Sequence, residues 1–189
     1  MEISQSCFVG VIGANGSGKS SFCDYLIHNG FYAISLSDVV RQDLKENGRS
    51  VDRDSLTQRA NELKTQHGLT YFAETCFSQV VELGHQKVVF DSIRHPLEAA
   101  FLQEKGVHLI GVTVSQLQRF ERIKSRKRET DFVDFETFKQ QDERERNGKS
   151  VGQSIDDCFQ YCDDILENNG TLDAFKKSID DKILSSLLA

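Results

Sequence analysis

The residues best equipped for chemistry stand near the start of the chain, at Gly13-Ala14-Asn15-Gly16-Ser17-Gly18-Lys19-Ser20. Their spacing, G-x-x-x-x-G-K-[ST], is that of a phosphate-binding loop. Glycines let the backbone curl so that successive N–H groups converge on phosphate oxygens. Lys19 is then placed to reach the β- and γ-phosphates of a nucleotide, and the Ser20 hydroxyl to ligate Mg²⁺. Ser21 completes the nucleotide-binding set in the first turn of the helix that follows, whose positive end favours an anion. ATP and Mg²⁺ are the cofactors this predicts.

A second signal is Lys87-Val88-Val89-Phe90-Asp91, an apolar run ending in a carboxylate. A strand edge of this kind, the Walker B pattern, presents its Asp to Mg²⁺ or to the waters around it, which makes Asp91 a catalytic and metal candidate. Arg94 and Arg41 are candidates for gripping the phosphate of an acceptor, because a guanidinium is a rigid fork of donors. Asp38 either orients that acceptor or complements the N-terminal dipole of its own helix. A charged stretch from Gln116 to Lys149 carries Arg119, Arg122, Arg126, Arg128, Arg144 and Arg146, interleaved with acids. Some of these belong to an ordinary salt-bridged helix surface, and two or three are expected to touch phosphate.

These groups need elements to hold them. Cys7 to Ile12 reads as a buried parallel strand, followed by a helix with Phe22, Leu26 and Ile27 at helical spacing and Gly30 as its stop. Tyr32 to Ser35 reads as a second strand, with Ser37 as N-cap of a helix bearing Val39, Val40 and Leu44. Asp52 or Asp54 caps a helix towards Gln66, stopped by Gly68. A further helix from Thr70 to Leu83 carries Phe72, Cys76, Val80 and Leu83 as its core stripe. Pro96 suits the first turn of the helix after Asp91. Val107 to Val114 and Asp164 to Leu166 are the remaining strands. Leu117, Phe120 and Ile123, then Phe135 and Phe138, give the charged stretch two helical stripes around a turn at Arg126 to Asp131. Thr171 caps a last helix carrying Leu172, Phe175, Ile179, Ile183 and Leu187. Alternating strands and helices predict an α/β fold, a parallel sheet covered on both faces, with ligands at the carboxyl ends of its strands.

The chain has 189 residues and a formal net charge of −6. Its length suits one domain, spanning 1–189, that buries its own core. The acidic balance argues against broad nucleic-acid or membrane affinity. Scattered cysteines without a disulfide framework, and Cys158 and Cys162 without a second ligand pair, suit a reduced cytoplasmic protein without a zinc site. No signal peptide or membrane-spanning run is visible. The sequence leaves the oligomeric state open.

Taken together, the phosphate-binding loop, Ser37-Asp38-Val39-Val40-Arg41, Val89-Phe90-Asp91-Ser92-Ile93-Arg94, Arg119 with Arg122 and Arg126, Asp142-Glu143-Arg144-Glu145 and Asn169-Gly170-Thr171-Leu172 resemble nucleoside monophosphate kinase-like P-loop proteins. The match is to a branch related to both adenylate kinases and dephospho-CoA kinases. The resemblance implies a three-layer fold with a five-stranded sheet in the order 2-3-1-4-5. It implies an acceptor-binding helical region at about 36–84 and an arginine-rich lid at about 119–149. It places Asp38, Arg41 and Arg94 beside the acceptor, Arg119 against adenine, and Arg126 among the catalytic groups. Two positions depart from the branch: Ser92 replaces a Gly and Gln141 replaces an Arg. The activity implied is transfer of the γ-phosphate of ATP to a nucleoside monophosphate, a small-molecule nucleotide acceptor. Gln141 keeps dephospho-CoA, another nucleotide alcohol or a modified nucleotide open as acceptor, and the departures leave room for a nucleotide-binding regulatory ATPase.

Overall fold

The computed structural model describes residues 6–126, 134–146 and 154–185, the side chains of Arg53 and Arg126 excepted. Five strands, β1 (Cys7–Ile12), β2 (Tyr32–Ser35), β3 (Lys87–Asp91), β4 (His108–Thr113) and β5 (Asp164–Glu167), form one sheet in the order β2-β3-β1-β4-β5. Every pairing is parallel. All five carboxyl ends therefore share one edge, and the register sets Ser35 directly beside Asp91.

The β1 strand shows why both faces are covered. Val9 and Val11 point into one apolar layer with Phe22, Leu26, Phe175 and Ile179. Ile12 points into the other, with Leu36, Leu44, Phe72, Phe90 and Leu102. Each such side chain, fully withdrawn from water, contributes about 1.5–3 kcal/mol. The first layer is closed by α1 (Lys19–His28) and α9 (Leu172–Ile179). The second is closed by α2 (Leu36–Glu46), α3 (Arg53–His67), α4 (Tyr71–Glu82) and α5 (Pro96–Glu104). Beyond β4 lie α6 (Gln116–Arg126), α7 (Phe135–Arg146) and the single turn α8 (Ile155–Cys158).

Local details correct the sequence reading in three places. The α2 helix starts two residues early, with Ser35 as N-cap, so Ser37 sits inside its first turn. Asp52, by contrast, caps α3 by accepting from Ser55 N–H. Leu83, Ile27, Leu117 and Leu172 have helical spacing but lie at helix ends, where they stay exposed. The last helix loosens into a π-helical turn over Asp180–Leu184, and Leu187 lies outside the described residues. The turn at 126–131 likewise lies outside them, apart from Arg126 at the end of α6. Among the described residues no helix is long and apolar enough to cross a membrane.

Candidate functional site

The loop from Gly13 to Gly18 joins β1 to α1, and its shape depends on glycine. Gly16 and Gly18 sit at φ 80° and 109°, in the region L side chains avoid. Space excludes them as well: a Cβ on Gly16 would lie 2.8 Å from the Arg119 carbonyl oxygen, and one on Gly18 would lie 2.2 Å from Asn168 Nδ2. The first helical bond runs from Phe22 N–H to Gly18 O. The amides of Lys19, Ser20 and Ser21 thus begin α1 without an intrahelical acceptor, which makes this end an anion site.

Two ties hold the loop from outside. Asn168, at the end of β5 and buried, donates its Nδ2–H to Ser17 O at 2.9 Å, while its own carbonyl accepts from Arg122 at 2.7 Å. Arg119 on α6 donates to Asn15 O at 3.3 Å. Its guanidinium makes a bidentate pair with Asp142 of α7, at 2.5 and 2.6 Å, and lies over the Phe138 ring. Both members of this pair are buried.

Lys19 reaches back over the loop and donates to Gly13 O at 2.7 Å and Ala14 O at 3.1 Å. Although part of its surface meets solvent, the protein surrounds its ammonium closely. Desolvation, and then the charge of Arg94, lower its pKa to about 8, with Asp91 and Glu145 opposing. Asp91 Oδ1 is buried and accepts no hydrogen bond within the protein. A buried carboxylate oxygen left in this way has coordination capacity to spare. Together with the Ser20 hydroxyl at the start of α1, it is a fitting donor set for a hard divalent cation.

Beside Asp91, Ser35, Ser37 and Ser92 form a hydroxyl cluster. Ser35 Oγ donates to Ser92 Oγ at 2.9 Å, and Ser37 Oγ lies 2.9 Å from Ser35 Oγ. Ser92 adopts φ 66°, a conformation suited to glycine. Arg41 donates to Ser37 Oγ at 2.5 Å and to Asp38 at 2.8 Å. Arg94 is half-buried, with Nη1 3.7 Å from Glu145 of α7. A cavity of about 290 Å³ lies between the loop and the α7–α8 side, lined by Ala14, Ser17, Val112, Arg119, Arg146 and Phe159. Another of about 330 Å³ lies between α2 and α4, with Ser35, Asp38, Gln42, Thr75 and Gln79 on its walls.

A family model described as "AAA domain" matches residues 9–148. A UPF0200 protein of Methanosarcina mazei is 31% identical over 183 residues, covering 95% of each chain. The chain belongs to the UPF0200 family. Its fold is shared more widely than its sequence. TT1252 from Thermus thermophilus matches with a TM-score of 0.63 at 20% identity, over 97% of this chain and 98% of that one. A shikimate kinase from Bacteroides thetaiotaomicron matches with 0.59 at 13% identity, over 96% and 99%. The sheet order and the helices on both faces are those of the P-loop kinase fold.

In this UPF0200 protein the carboxyl edge of the sheet brings together the loop, Asp91, Arg94, Asp38 and Arg41. Arg119 donates into the loop from α6. Its guanidinium is enclosed by Asp142 and Phe138 against the loop, because α6 starts directly over Gly16. Arg146 pairs with Asp156 of α8 at 2.9 Å, and Arg144 is exposed. The Arg126 side chain and all of Arg128 lie outside the described residues. Sequence reasoning missed Asn168 and the Arg119–Asp142 pairing. The rule that ligands gather at strand ends would have singled out Asn168, which follows β5. The ion pair joins α6 to α7 over a separation of 23 positions, and nothing in the spacing announces it.

Proposed function

We propose that this UPF0200 protein is an ATP-dependent phosphotransferase that moves the γ-phosphate of ATP to a nucleoside monophosphate. The observation that carries this reading is that Asp91, whose buried Oδ1 accepts no hydrogen bond within the protein, ends β3 and Arg94 follows three residues on, at the sheet edge that holds the Lys19 loop. An ATPase needs Lys19 and Asp91. A guanidinium beside them has use as a grip for an acceptor phosphate. The kinase fold of the structural neighbours and the resemblance to adenylate and dephospho-CoA kinases point the same way.

In the reaction, the bond between the γ-phosphorus and the β,γ-bridging oxygen breaks, and a bond from an acceptor phosphate oxygen forms. ADP leaves with the bonding electrons. Ser20 and Asp91 would hold Mg²⁺, which would supply neutralisation of phosphate charge there. Lys19 and the loop amides hold the donor phosphates, with their dipoles already oriented before charge develops. Arg94 and Arg41 orient the acceptor phosphate, and the cavity between α2 and α4 takes the remainder of the acceptor. Residues 36–84 are the acceptor region and 119–149 the lid, with Arg126 contributed from the end of α6. Arg119 acts as a brace for the loop, since Asp142 and Phe138 already occupy its guanidinium.

One observation favours a second reading. Asp38 is exposed beside the serine cluster, where its carboxylate can accept a proton from an alcohol. That suits dephospho-CoA or another nucleotide alcohol. The test is an acceptor screen with ATP and Mg²⁺, comparing AMP, CMP, GMP, UMP and dephospho-CoA by the new phosphorylated product. A monophosphate converted to its diphosphate supports the first reading, and phosphorylated dephospho-CoA the second. ATP hydrolysis that none of the five alters leaves a nucleotide-binding ATPase.

A further inference from the structure

Deep in the acceptor half lies an ion pair that touches no part of the loop. Lys64, near the end of α3, places Nζ 2.9 Å from Glu98 Oε1 in the first turn of α5, with side chains only 6% and 2% exposed. The ammonium also lies 5.4 Å from the centre of the Phe72 ring. The second carboxylate oxygen of Glu98 accepts the N–H of Arg94 and the N–H of His95, each at 3.1 Å. His95 caps α5 in return through its ring nitrogen. On its other side, the Arg94 carbonyl accepts from Ser154 N–H at 2.9 Å. The Arg94 backbone is thus fixed at both ends, and Glu98 connects one of those ends to α3.

An ion pair is a costly way to join two helices. Two charges lose their hydration, and a pair of well-packed apolar side chains does the same job at equal or better stability. What the pair supplies is direction: one oxygen faces the Lys64 ammonium and the other is thereby aimed at the amides of Arg94 and His95. We propose that Lys64 and Glu98 are positioning residues for acceptor recognition. Their pair locks the backbone of Arg94 to helix α3, so that the Arg94 guanidinium and the acceptor region form one rigid surface. The proposal rests on the phosphotransfer reading above, in which Arg94 grips the acceptor phosphate. Neither residue touches substrate.

The design separates positioning from mere support of the fold. Lys64→Met alone leaves the Glu98 carboxylate buried and short of a partner, so that variant has reason to unfold. The double variant Lys64→Met with Glu98→Gln leaves no buried charge and retains an acceptor oxygen for the helix cap. Steady-state kinetics with ATP and Mg²⁺ against AMP, CMP, GMP and UMP are measured for wild type and the double variant, with circular dichroism as the check on folding. The expected result is a loss of about ten- to a hundredfold in kcat/KM for the monophosphate, the scale of a displacement near 1 Å. KM for ATP should stay within about twofold, because the loop that binds it is anchored by other contacts. A folded double variant with unchanged acceptor kinetics overturns the positioning role and leaves the phosphotransfer reading standing. An equal loss for ATP and acceptor also overturns it, by showing general support of the fold. Wild-type protein that turns over none of the four monophosphates removes both readings together.

Discussion

The two halves of the site are built from different materials. The nucleotide half is backbone: glycines at positive φ, first-turn amides, and carbonyls tied by Asn168 and Arg119. The proposed acceptor half is side chain: Ser35, Ser37 and Ser92 bonded to one another, Arg41 on Ser37 and Asp38, Arg94 near Glu145. Backbone sites tolerate little, since a methyl group in the wrong place displaces the chain. Side-chain sites can be retuned one contact at a time. That contrast accords with the proposed division of the site between a nucleotide and an acceptor.

The sharpest way to break the contrast is Gly18→Ala. The new Cβ meets Asn168 Nδ2 at 2.2 Å, and φ 109° is strained for any L side chain. The strain and the overlap together should cost on the order of 2–4 kcal/mol of stability. Whatever remains folded should bind ATP very weakly, because relief requires the loop to move. Thermal unfolding and ATP titration check both. A stable variant with normal ATP affinity would show that the loop is far softer than its packing indicates.

Next comes Lys19→Ala. Its side chain reaches back over the loop and belongs to neither apolar layer, so stability should change by less than about 1 kcal/mol. Turnover should fall roughly a hundred- to a thousandfold, since the ammonium meets charge that grows during transfer. The pH dependence of ATP binding adds an independent reading. Without nucleotide, Lys19 titrates at about 8 because burial disfavours its charge. Phosphate favours the charged form, so the complex has the higher pKa and binding takes up a proton above pH 8. ATP affinity should therefore be level below about pH 8 and fall by up to about tenfold per unit above it. Calorimetry across pH 7–10 should show this slope in wild type and a flat profile in Lys19→Ala.

How much of this was legible in the sequence follows the same division. A backbone site has a strict residue pattern, because only glycine serves at Gly16 and Gly18, and so the loop could be read directly. The strands could be read because a sheet covered on both faces demands apolar runs such as Val9 to Ile12. Asp91 followed as the end of such a run. The Arg119–Asp142 pair was not legible, for the converse reason. An arginine after β4 can face a ligand or turn inward, and the choice depends on an acid at Asp142, 23 positions away. Lys64 and Glu98 were equally silent, because charged residues in helices read as solvent-facing until their partners are known.

The acceptor half is tested by Arg94→Ala. If its guanidinium grips the acceptor phosphate, the loss of a charge-assisted contact should cost about 1.5–3 kcal/mol in transition-state binding. That is roughly ten- to 150-fold in kcat/KM for the acceptor. ATP affinity should change little. Lys at this position should recover only part, since it lacks the planar fork. Parallel titrations of ATP and acceptor decide it, and an effect confined to ATP would assign Arg94 to the nucleotide half.

The smallest expected effect is also the most discriminating about why the acceptor half is made of side chains. Ser92 holds φ 66° where a glycine would rest without strain. For a serine this conformation costs about 1–2 kcal/mol. In exchange its hydroxyl accepts from Ser35 at 2.9 Å and lies 3.4 Å from Ser37, whose own oxygen receives Arg41. A hydrogen bond of that kind returns about 0.5–1.5 kcal/mol. The terms nearly cancel, so Ser92→Gly should change stability by less than about 1 kcal/mol in either direction, measured by urea unfolding. Its effect on the acceptor should be visible all the same. Without Ser92, Ser35 and Ser37 lose the oxygen that orients their hydroxyls, and Arg41 loses a fixed partner. Acceptor KM should rise about two- to fivefold with ATP KM unchanged, the scale of one neutral hydrogen bond weakened at second hand. A glycine variant that is clearly more stable and binds acceptor as tightly as wild type would mean that the serine cluster orients nothing.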